Sequence, residues 1–196
     1  KKEWSPYQEG AFAPALCNRI DRNTGGIVIA AKTAEGLRVM NQKIRDRELK
    51  KYYLCIVHGT LPRPAGRLEG YILKDEAKKQ VTVSSRPRPG AKTAVTLYET
   101  LAVRNGLSLV RCQLITGRTH QIRAQFAAAG HPLLGDGKYG SERQNKRYGR
   151  SYQALYSYRL EFCFTTDAGA LAPLDGQQFQ VEQVDFVTEY FPGFSL

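Results

Sequence analysis

Two long strand-like stretches, residues 93–103 and 107–115, meet at the dipeptide Asn105-Gly106. Asn-Gly is favoured in two-residue hairpin turns because both positions need a positive φ, which these residues tolerate. The pattern therefore predicts an antiparallel hairpin, and this hairpin constrains the fold more than any other feature. Further strands are predicted at about 26–31, 51–57, 67–73, 80–84, 155–164 and 178–184.

Helices are fewer than strands. Thr33 can cap a helix that runs to about Asp46, and a second helix follows Arg118 and stops at Gly130. A short helix is predicted near the C-terminus. Since strands dominate and most connections are short, we expect a mixed α/β (α+β) fold. It should contain a long, largely antiparallel mixed sheet with a few flanking helices.

The chain of 196 residues carries a formal charge of +11, from 29 basic and 18 acidic residues. An excess of this size favours polyanionic partners, of which nucleic acid is the commonest. No apolar run of about 18 residues and no basic amphipathic helix stands out, so no membrane partner is expected. No signal peptide opens the chain, so we expect a cytoplasmic location.

The four cysteines, at 17, 55, 112 and 163, have neither zinc-knuckle nor redox-pair spacing. Cys55 and Cys112 fall within apolar strand patterns and are predicted to be buried free thiols. The histidines and acids show no metal-ligand spacing, and no nucleotide-binding phosphate loop is present, so neither a metal nor another cofactor is expected. A conventional glycosidase would need two carboxylates, and only Asp21 is conspicuously placed.

The run Leu114-Ile-Thr-Gly-Arg-Thr-His-Gln-Ile-Arg123 leaves an apolar strand, crosses a glycine and enters a helix. Backbone N–H groups at such a junction can meet an anion. Arg118 and Arg123 stand where acidic residues are usually preferred, a departure that often marks function. Arg118 could bind phosphate while Arg123 faces a carboxylate; a solvated helix cap is the structural alternative. For His120 we favour a hydrogen bond that supports its neighbours.

Asp21 lies between Arg19 and Arg22 and could also face Arg123. Neighbouring cations favour an ionised carboxylate, which suits a nucleophile or a base. A structural salt bridge at a turn is the alternative. Tyr53 lies in mid-strand, where an aromatic side chain is usually part of the core, but in a cleft it could stack on a nucleobase.

Two loops, residues 86–92 and 136–152, mix arginine and lysine, and the second also contains tyrosines. This mixture is expected where an RNA backbone is held and bases are stacked; a solvated surface is the alternative. The loop residues that we predict to contact RNA are Arg86, Arg88, Lys138, Tyr139, Arg143, Lys146, Arg147 and Arg150.

Several ordered motifs resemble those of the RluA-like RNA pseudouridine synthases. Asn18-Arg-Ile-Asp-Arg-Asn-Thr-Gly-Gly resembles H-R-L-D-R-x-T-S-G, and Lys51-Tyr-Tyr-Leu-Cys-Ile-Val-His-Gly resembles K-x-Y-L-A-x-V-x-G. The run that ends at Arg123 is similar to L-x-T-G-R-T-H-Q-I-R. Gly130-His-Pro-Leu-Leu-Gly-Asp-Gly-Lys-Tyr-Gly follows in the family's order, and residues 155–162 are similar to its closing strand.

The resemblance implies a mixed α/β fold around a long antiparallel sheet that is crossed by an RNA-binding cleft. It also implies isomerisation of uridine to pseudouridine in ribosomal or transfer RNA, without cofactor or metal. Asp21 would be the catalytic aspartate, Tyr53 the tyrosine packed on the target base, and Arg123 the partner of the aspartate. Arg19 would hold the RNA or fill the gap left by a flipped nucleotide. The further RNA-binding candidates at these motifs are Arg22, Arg118 and His120.

Three residues depart from the family pattern. Asn18 stands where the family usually has histidine, Gly25 where it has serine, and Gln125 where histidine often follows. We interpret residues 1–196 as a catalytic domain, monomeric, without the family's usual N-terminal strand and without an S4-type RNA-binding domain. A non-catalytic RNA-binding module or inactive fragment is the main alternative, and a hydrolase of small nucleosides is a weaker one.

Overall fold

The predicted hairpin lies at the centre of the sheet in the computed structural model, which describes residues 12–196. Its strands, β7 (Lys92–Arg104) and β8 (Leu107–Leu114), are joined by Asn105 (φ 50°) and Gly106 (φ 74°). Both turn residues are left-handed, as a two-residue turn of this type requires. The hairpin prediction is therefore confirmed.

The other strands are β1 (Ala15–Leu16), β2 (Gly25–Gly26), β3 (Ala30–Ala31), β4 (Leu49–His58), β5 (Ala65–Asp75), β6 (Gln80–Ser84), β9 (Leu155–Phe162) and β10 (Gln178–Gln180). The helices are α1 (Ala34–Arg45), α2 (Gln121–Ala128), α3 (Glu142–Arg147), α4 (Asp185–Tyr190) and a 3-10 helix at Gly169–Leu174. Within residues 12–196, no helix is long and apolar enough to cross a membrane.

The large sheet has the order β10-β9-β4-β8-β7-β5-β6, and every neighbouring pair on this path is antiparallel. Strand β2 joins it by pairing parallel with β9, which makes the sheet mixed. The expected fold class, a long and largely antiparallel mixed sheet with few helices, is thus confirmed.

Side chains of β4 alternate between two cores, as the period of two predicts. Leu54 and Ile56 pack with α4, whereas Cys55 and Val57 pack with Ile122 of α2 on the opposite face. Cys55 and Cys112 are free and fully buried, as predicted, with their sulfur atoms 3.7 Å apart.

Both long helices begin and end near the predicted residues. The Thr33 hydroxyl accepts a hydrogen bond from the Gly36 N–H at 3.0 Å and so caps α1. Helix α2 ends just before Gly130, whose φ is 84°.

The continuous strand predicted at 26–31 is wrong. Only the two short pieces β2 and β3 are strands, because the backbone between them bonds to separate partners. The Ile27 N–H donates to Ser157 O at 2.9 Å, and the Ile29 N–H donates to the Asn18 side chain at 2.7 Å. Strand β10 is also shorter than the predicted 178–184.

A buried ion pair joins the end of α1 to the segment after β9. Lys43, with 1% of its side chain exposed, donates to Glu48 at 2.7 Å and to both oxygens of Thr166. Glu48 also accepts hydrogen bonds from Thr165 and Thr166. The hydrogen bond from Lys43 is the largest of the effects that lower the pKa of Glu48 to about 2.

This shift predicts an acid-dependent part of the stability. Because the folded pKa lies below the usual 4.5, the stabilisation is present above about pH 4.5 and is lost as the pH falls toward 2. We expect Glu48→Gln to lower Tm at pH 7 and to show a smaller fall in Tm between pH 7 and pH 3, measured by thermal unfolding. Glu142→Gln, which removes an exposed partner of Lys146, is the control. An equal fall in Tm between pH 7 and pH 3 in wild type and Glu48→Gln would contradict the prediction.

Candidate active site

Asp21 lies in a tight turn that rests against β9. The Thr24 N–H donates to Asp21 O at 3.0 Å, and Asn23 takes the left-handed conformation (φ 64°). A Cβ atom on Gly26 would lie 2.2 Å from Ser157 O, so only glycine allows the chain to approach this closely. The turn is therefore held at a fixed distance from the sheet.

Two of the departures from the family pattern have local partners here. A Cβ atom on Gly25 would lie 2.6 Å from the Tyr156 ring, so glycine leaves the room that this tyrosine occupies. The Asn18 side chain accepts the Ile29 N–H, which connects the Asp21 segment to the chain that follows it. On the other side, Gln153 Nε2 donates to Arg22 O at 2.6 Å.

A network of buried amides fixes α2 against the sheet. Gln121 accepts from the Thr116 hydroxyl (2.8 Å) and the Arg118 N–H (3.0 Å), and it donates to Val95 O (3.0 Å). Gln125, the third departure, accepts from Thr96 and donates to carbonyl groups of β5 and β7. Because these buried amide groups are paired, rotation of α2 would break several hydrogen bonds at once. The side chains of α2 consequently have one orientation.

Helix α2 directs Arg123 inward, where it meets two carboxylates. Its Nε and Nη2 atoms donate to Asp136 at 2.7 and 2.9 Å, and its Nη1 lies 3.5 Å from Asp21 Oδ2. The guanidinium also lies over the Tyr139 ring, 5.3 Å from its centroid. The predicted contact between Asp21 and Arg123 is present, but Asp136 is the stronger partner of the arginine.

Asp136 is fully buried and holds a charge nonetheless. Burial acts to raise the pKa of Asp136, but the hydrogen bonds and charge of Arg123, with the N–H groups of Lys138 and Tyr139, hold that pKa below its usual value. The ionised Asp136 fixes one edge of the guanidinium, which leaves the Nη1 corner for Asp21.

Tyr53 lies beside this group on β4, next to a β-bulge. Tyr52 pairs with Arg159 whereas Tyr53 pairs with Ser157, so β9 contains one extra residue at this point. Bulges of this kind change the direction of a side chain. Burial raises the pKa of the Tyr53 phenol, a hydrogen bond with Ser157 opposes the shift, and the charge of Asp21 adds to it.

A cleft of about 240 Å³ brings the predicted residues together. Arg19, Asp21, Tyr53 and Arg118 line it, and 18% of the Asp21 side chain is exposed. Arg123 lies behind Asp21 and is not part of the wall. The cleft is smaller than the ~300–1,000 Å³ of sites for drug-sized ligands and is suited to one nucleoside.

His120, Lys138 and Tyr139 are not part of the cleft lining, and the Tyr139 ring lies against the Arg123 guanidinium. His120 Nδ1 is 2.8 Å from the Tyr139 hydroxyl, which accepts the Val81 N–H at 2.9 Å. Burial is the largest effect on the imidazole of His120 and lowers its pKa, while the charge of Asp21 opposes the shift. Lys138 is exposed and donates to Lys79 O. His120 has the supporting hydrogen bond that we favoured, while RNA contact by these three residues stays a prediction.

The remaining RNA-binding candidates form two groups and one separate residue, Arg150. Arg22, Arg86 and Arg88 are exposed, and the last two precede β7, where the Thr93 carbonyl accepts from Arg118 Nε. The second group is carried on or beside α3, whose Asn145 bonds to His58 at the far end of β4. That end is roughly 17 Å along the strand from Tyr53. The second group contains Arg143, Lys146 and Arg147. Arg150 belongs to neither group: it lines a separate pocket with Asn23 and Gly25, beside the Asp21 turn, and pairs with Glu189 at 3.3 Å.

The sequence reading missed three kinds of site residue. Asp136 stands between two glycines, a context typical of an ordinary turn, and only its place in a family-like motif pointed to it. Gln121 lies inside a helix, where glutamine is unremarkable, and Gln125 stands out only as a departure from the family pattern. Lys51 opens a strand and a family-like motif, and no local pattern predicts that it lines the cleft. Across residues 12–196, no group of three or more histidine, cysteine or acidic side chains could hold a metal ion.

The sequence profile of the RNA pseudouridylate synthase family matches residues 2–128. An uncharacterized RNA pseudouridine synthase of Mycoplasma genitalium is 38% identical over 156 residues, covering 77% of this chain and 47% of that protein. Ribosomal large subunit pseudouridine synthase D of Zymomonas mobilis is 31% identical over 181 residues, covering 92% and 54%. The chain belongs to the RNA pseudouridylate synthase family, and the resemblance seen in its motifs is confirmed.

Solved structures share the fold. Human RNA pseudouridylate synthase domain containing 4 superposes with a TM-score of 0.70 at 24% identity, over 90% of this chain and 74% of that one. Human RNA pseudouridylate synthase domain containing 1 gives 0.68 at 20% identity, over 90% and 79%. The chain spans about half the length of the curated relatives that it matches.

The buried pair predicts a large effect of one conservative substitution. Asp136→Asn would leave the Arg123 guanidinium buried without its main counter-ion, a change that typically costs about 3–5 kcal/mol. We expect a loss of that size in the free energy of unfolding, measured with denaturant. Glu99→Gln, which removes the partner of the partly exposed Arg111, should cost less than about 1 kcal/mol. Equal losses in the two variants would contradict the prediction.

Proposed function

We propose that this chain isomerises uridine to pseudouridine in structured RNA, with Asp21 acting at the ribose of a flipped nucleotide. The observation that carries the proposal is the placement of Asp21 in a nucleoside-sized cleft, within 3.5 Å of the buried Arg123. Membership of the RNA pseudouridylate synthase family supports the same activity.

The target base has to leave its stack to enter the cleft, at a cost of a few kcal/mol. Arg19 and Arg118, on the cleft wall, are suited to hold the RNA backbone while the base is inside. Ile122 and Leu155 give the same wall an apolar part on which a base can pack. The cleft thus offers cations for phosphate and an apolar surface for uracil.

The reaction needs no co-reactant. The Asp21 carboxylate attacks C1′ or removes a proton from C2′, and the N1–C1′ bond breaks with its electron pair going to uracil N1. The uracil turns, C5 bonds to C1′, and the carboxylate leaves or returns the proton. The C5 proton is then lost and N1 takes up a proton, so the atoms of uridine are conserved.

Arg123 orients the carboxylate in this scheme. Its Nε and Nη2 atoms are occupied by Asp136, so the guanidinium cannot turn away from Asp21 without breaking two buried hydrogen bonds. A carboxylate held in one direction attacks a fixed atom of the ribose more readily than one that rotates freely.

Tyr53 packs on the base and is the candidate acceptor of the C5 proton. The burial that raises its pKa keeps the phenol protonated at neutral pH. It can therefore accept the C5 proton only as the minor phenolate form.

Ribosomal and transfer RNA are the proposed substrate pools, which also favours a cytoplasmic location for the enzyme. A relative named as a ribosomal large subunit pseudouridine synthase supports the ribosomal pool. A monomeric state stays a prediction.

Asp21→Ala tests the proposal. We expect wild type to release tritium from RNA labelled at uridine C5, and the variant to release none while its RNA affinity stays within a few-fold. Glu69→Ala on the exposed face of β5 is the control and should react like wild type. Ribosomal and transfer RNA are tested separately, so that the preferred pool identifies the substrate class.

Near-normal tritium release by Asp21→Ala would contradict the proposed mechanism. No release by folded wild type that still binds RNA would instead favour a non-catalytic RNA-binding module.

The role of Tyr53 predicts a pH profile. Because its pKa is raised above the usual 10, the phenolate fraction grows about tenfold per pH unit below that pKa. We expect turnover to rise between pH 7 and pH 9 in wild type, and to fall about 10²–10⁴-fold and lose this rise in Tyr53→Phe. Initial rates of tritium release measure both; a flat wild-type profile would leave Tyr53 as a packing residue only.

A further inference from the structure

We propose that a second groove, beside the active-site cleft, binds the phosphate backbone of the RNA strand next to the flipped nucleotide. This inference rests on the proposed function, since it concerns the same RNA. We name it the α1–β4 groove, because it lies between the end of α1, the start of β4 and the segment 115–118.

The groove has a volume of about 300 Å³ and shares four lining residues with the cleft: Lys51, Leu114, Gly117 and Arg118. It is therefore a continuation of the cleft around a common wall. When one nucleotide occupies the cleft, the RNA strand must continue away from the cleft. The α1–β4 groove offers a concave path for that strand directly beside the cleft.

The lining of the groove is positively charged. Arg45, Arg47, Lys51 and Arg118 contribute to it, and it contains no carboxylate. The acids that neighbour these residues in the sequence are not part of the groove lining. The Asp46 carboxylate accepts from Gln42 at 2.7 and 2.9 Å, and Glu48 is buried in its pair with Lys43. Lys51 and Arg118 also line the cleft that contains Asp21, but the groove itself has four cations and no carboxylate in its lining, which favours a polyanion.

Among the lining residues of the groove, Lys51 gives the strongest indication of an anionic ligand. Among residues 12–196, no hydrogen bond or ion pair of its ammonium group is found, although the side chain is only partly exposed. Burial lowers its pKa, and no nearby carboxylate opposes the shift. A cation that is partly withdrawn from water gains from an anionic partner, and an RNA phosphate at the junction of the two cavities would supply one.

Arg47 adds a second indication. Its left-handed backbone (φ 62°) belongs to the end of α1, where the Arg47 N–H donates to Ile44 O and the Glu48 N–H donates to Lys43 O. Its side chain is exposed and has no hydrogen-bond or ion-pair partner in the described part of the chain. Cations at a helix C-terminus are favoured by the helix dipole, which accounts for Arg45 and Arg47 but not for Lys51 in β4 or Arg118 before α2.

Two substitutions and a matched control test the groove. Arg47→Asn removes the charge while keeping a residue that tolerates the left-handed backbone, and Lys51→Met removes the charge at similar volume. Arg104→Asn is the control, because this exposed arginine lies at the far end of β7, roughly 24 Å along the hairpin from Leu114. The probe is a short fluorescent oligouridylate, titrated by anisotropy at several salt concentrations.

We expect each groove variant to bind several-fold more weakly at low salt. The slope of log K against log salt should fall by about 0.7 for each lost contact to a single strand. Arg104→Asn should bind like wild type. Arg47→Lys, which restores the charge, should recover most of the slope.

Wild-type slopes in both Arg47→Asn and Lys51→Met would overturn the proposal, and so would an equal loss in Arg47→Lys and Arg47→Asn. Thermal unfolding confirms that each variant is folded, and Arg47→Asn carries the test if Lys51→Met is not. Tritium release separates the two proposals. If wild type releases tritium but the salt slopes of Arg47→Asn and Lys51→Met equal the wild-type slope, only the groove proposal is overturned. If the salt slopes of the groove variants are reduced but wild type releases no tritium, the proposed isomerase activity is overturned and the groove proposal is supported.

Discussion

The buried ion pair between Arg123 and Asp136 is the interaction on which the candidate site depends. Its two hydrogen bonds fix a guanidinium that also reaches Asp21, so one side chain joins α2, the 136–140 loop and the turn that carries Asp21. A buried arginine without a counter-ion would be unstable, and Asp21 at 3.5 Å is too distant to be the main partner. Asp136 therefore allows Asp21 to remain partly exposed and able to meet a substrate.

The rest of the fold supplies the rigidity that this pair needs. Gln121 and Gln125 fix α2 to β7, while Gly25 and Gly26 let the Asp21 turn lie directly on β9. The site thus combines elements that hydrogen bonds hold to the sheet, which is how a constellation of side chains keeps a fixed geometry. Within the proposed function, the same rigidity orients the Asp21 carboxylate before the substrate arrives.

Sequence patterns predicted the elements that are fixed by hydrogen bonds between near neighbours in the chain or by a regular alternation of buried side chains. The Asn105-Gly106 turn, the two faces of β4 and the cap at Thr33 follow from turn chemistry, a period of two and capping. The prediction of one strand at 26–31 was wrong because the backbone N–H groups of this segment donate to separate partners instead of to one neighbouring strand. Asp136 was missed because an aspartate between glycines is usually a turn residue, and nothing local distinguishes one that reaches a buried arginine.

The sequence by itself determined the antiparallel framework and, through its motifs, the family, and its charge of +11 is the basis on which a polyanionic partner is predicted. It also singled out Asp21, Tyr53 and Arg123, because their residue types and neighbours departed from local preference or matched those motifs. The tertiary structure decided which cations surround the cleft. Arg45, Arg47 and Lys51 join Arg118 in one groove, whereas Arg143, Lys146 and Arg147 lie at the opposite end of β4. The physical reason is that charge density along a chain is local, whereas the grouping of charges around a cavity depends on strand order and packing between distant segments.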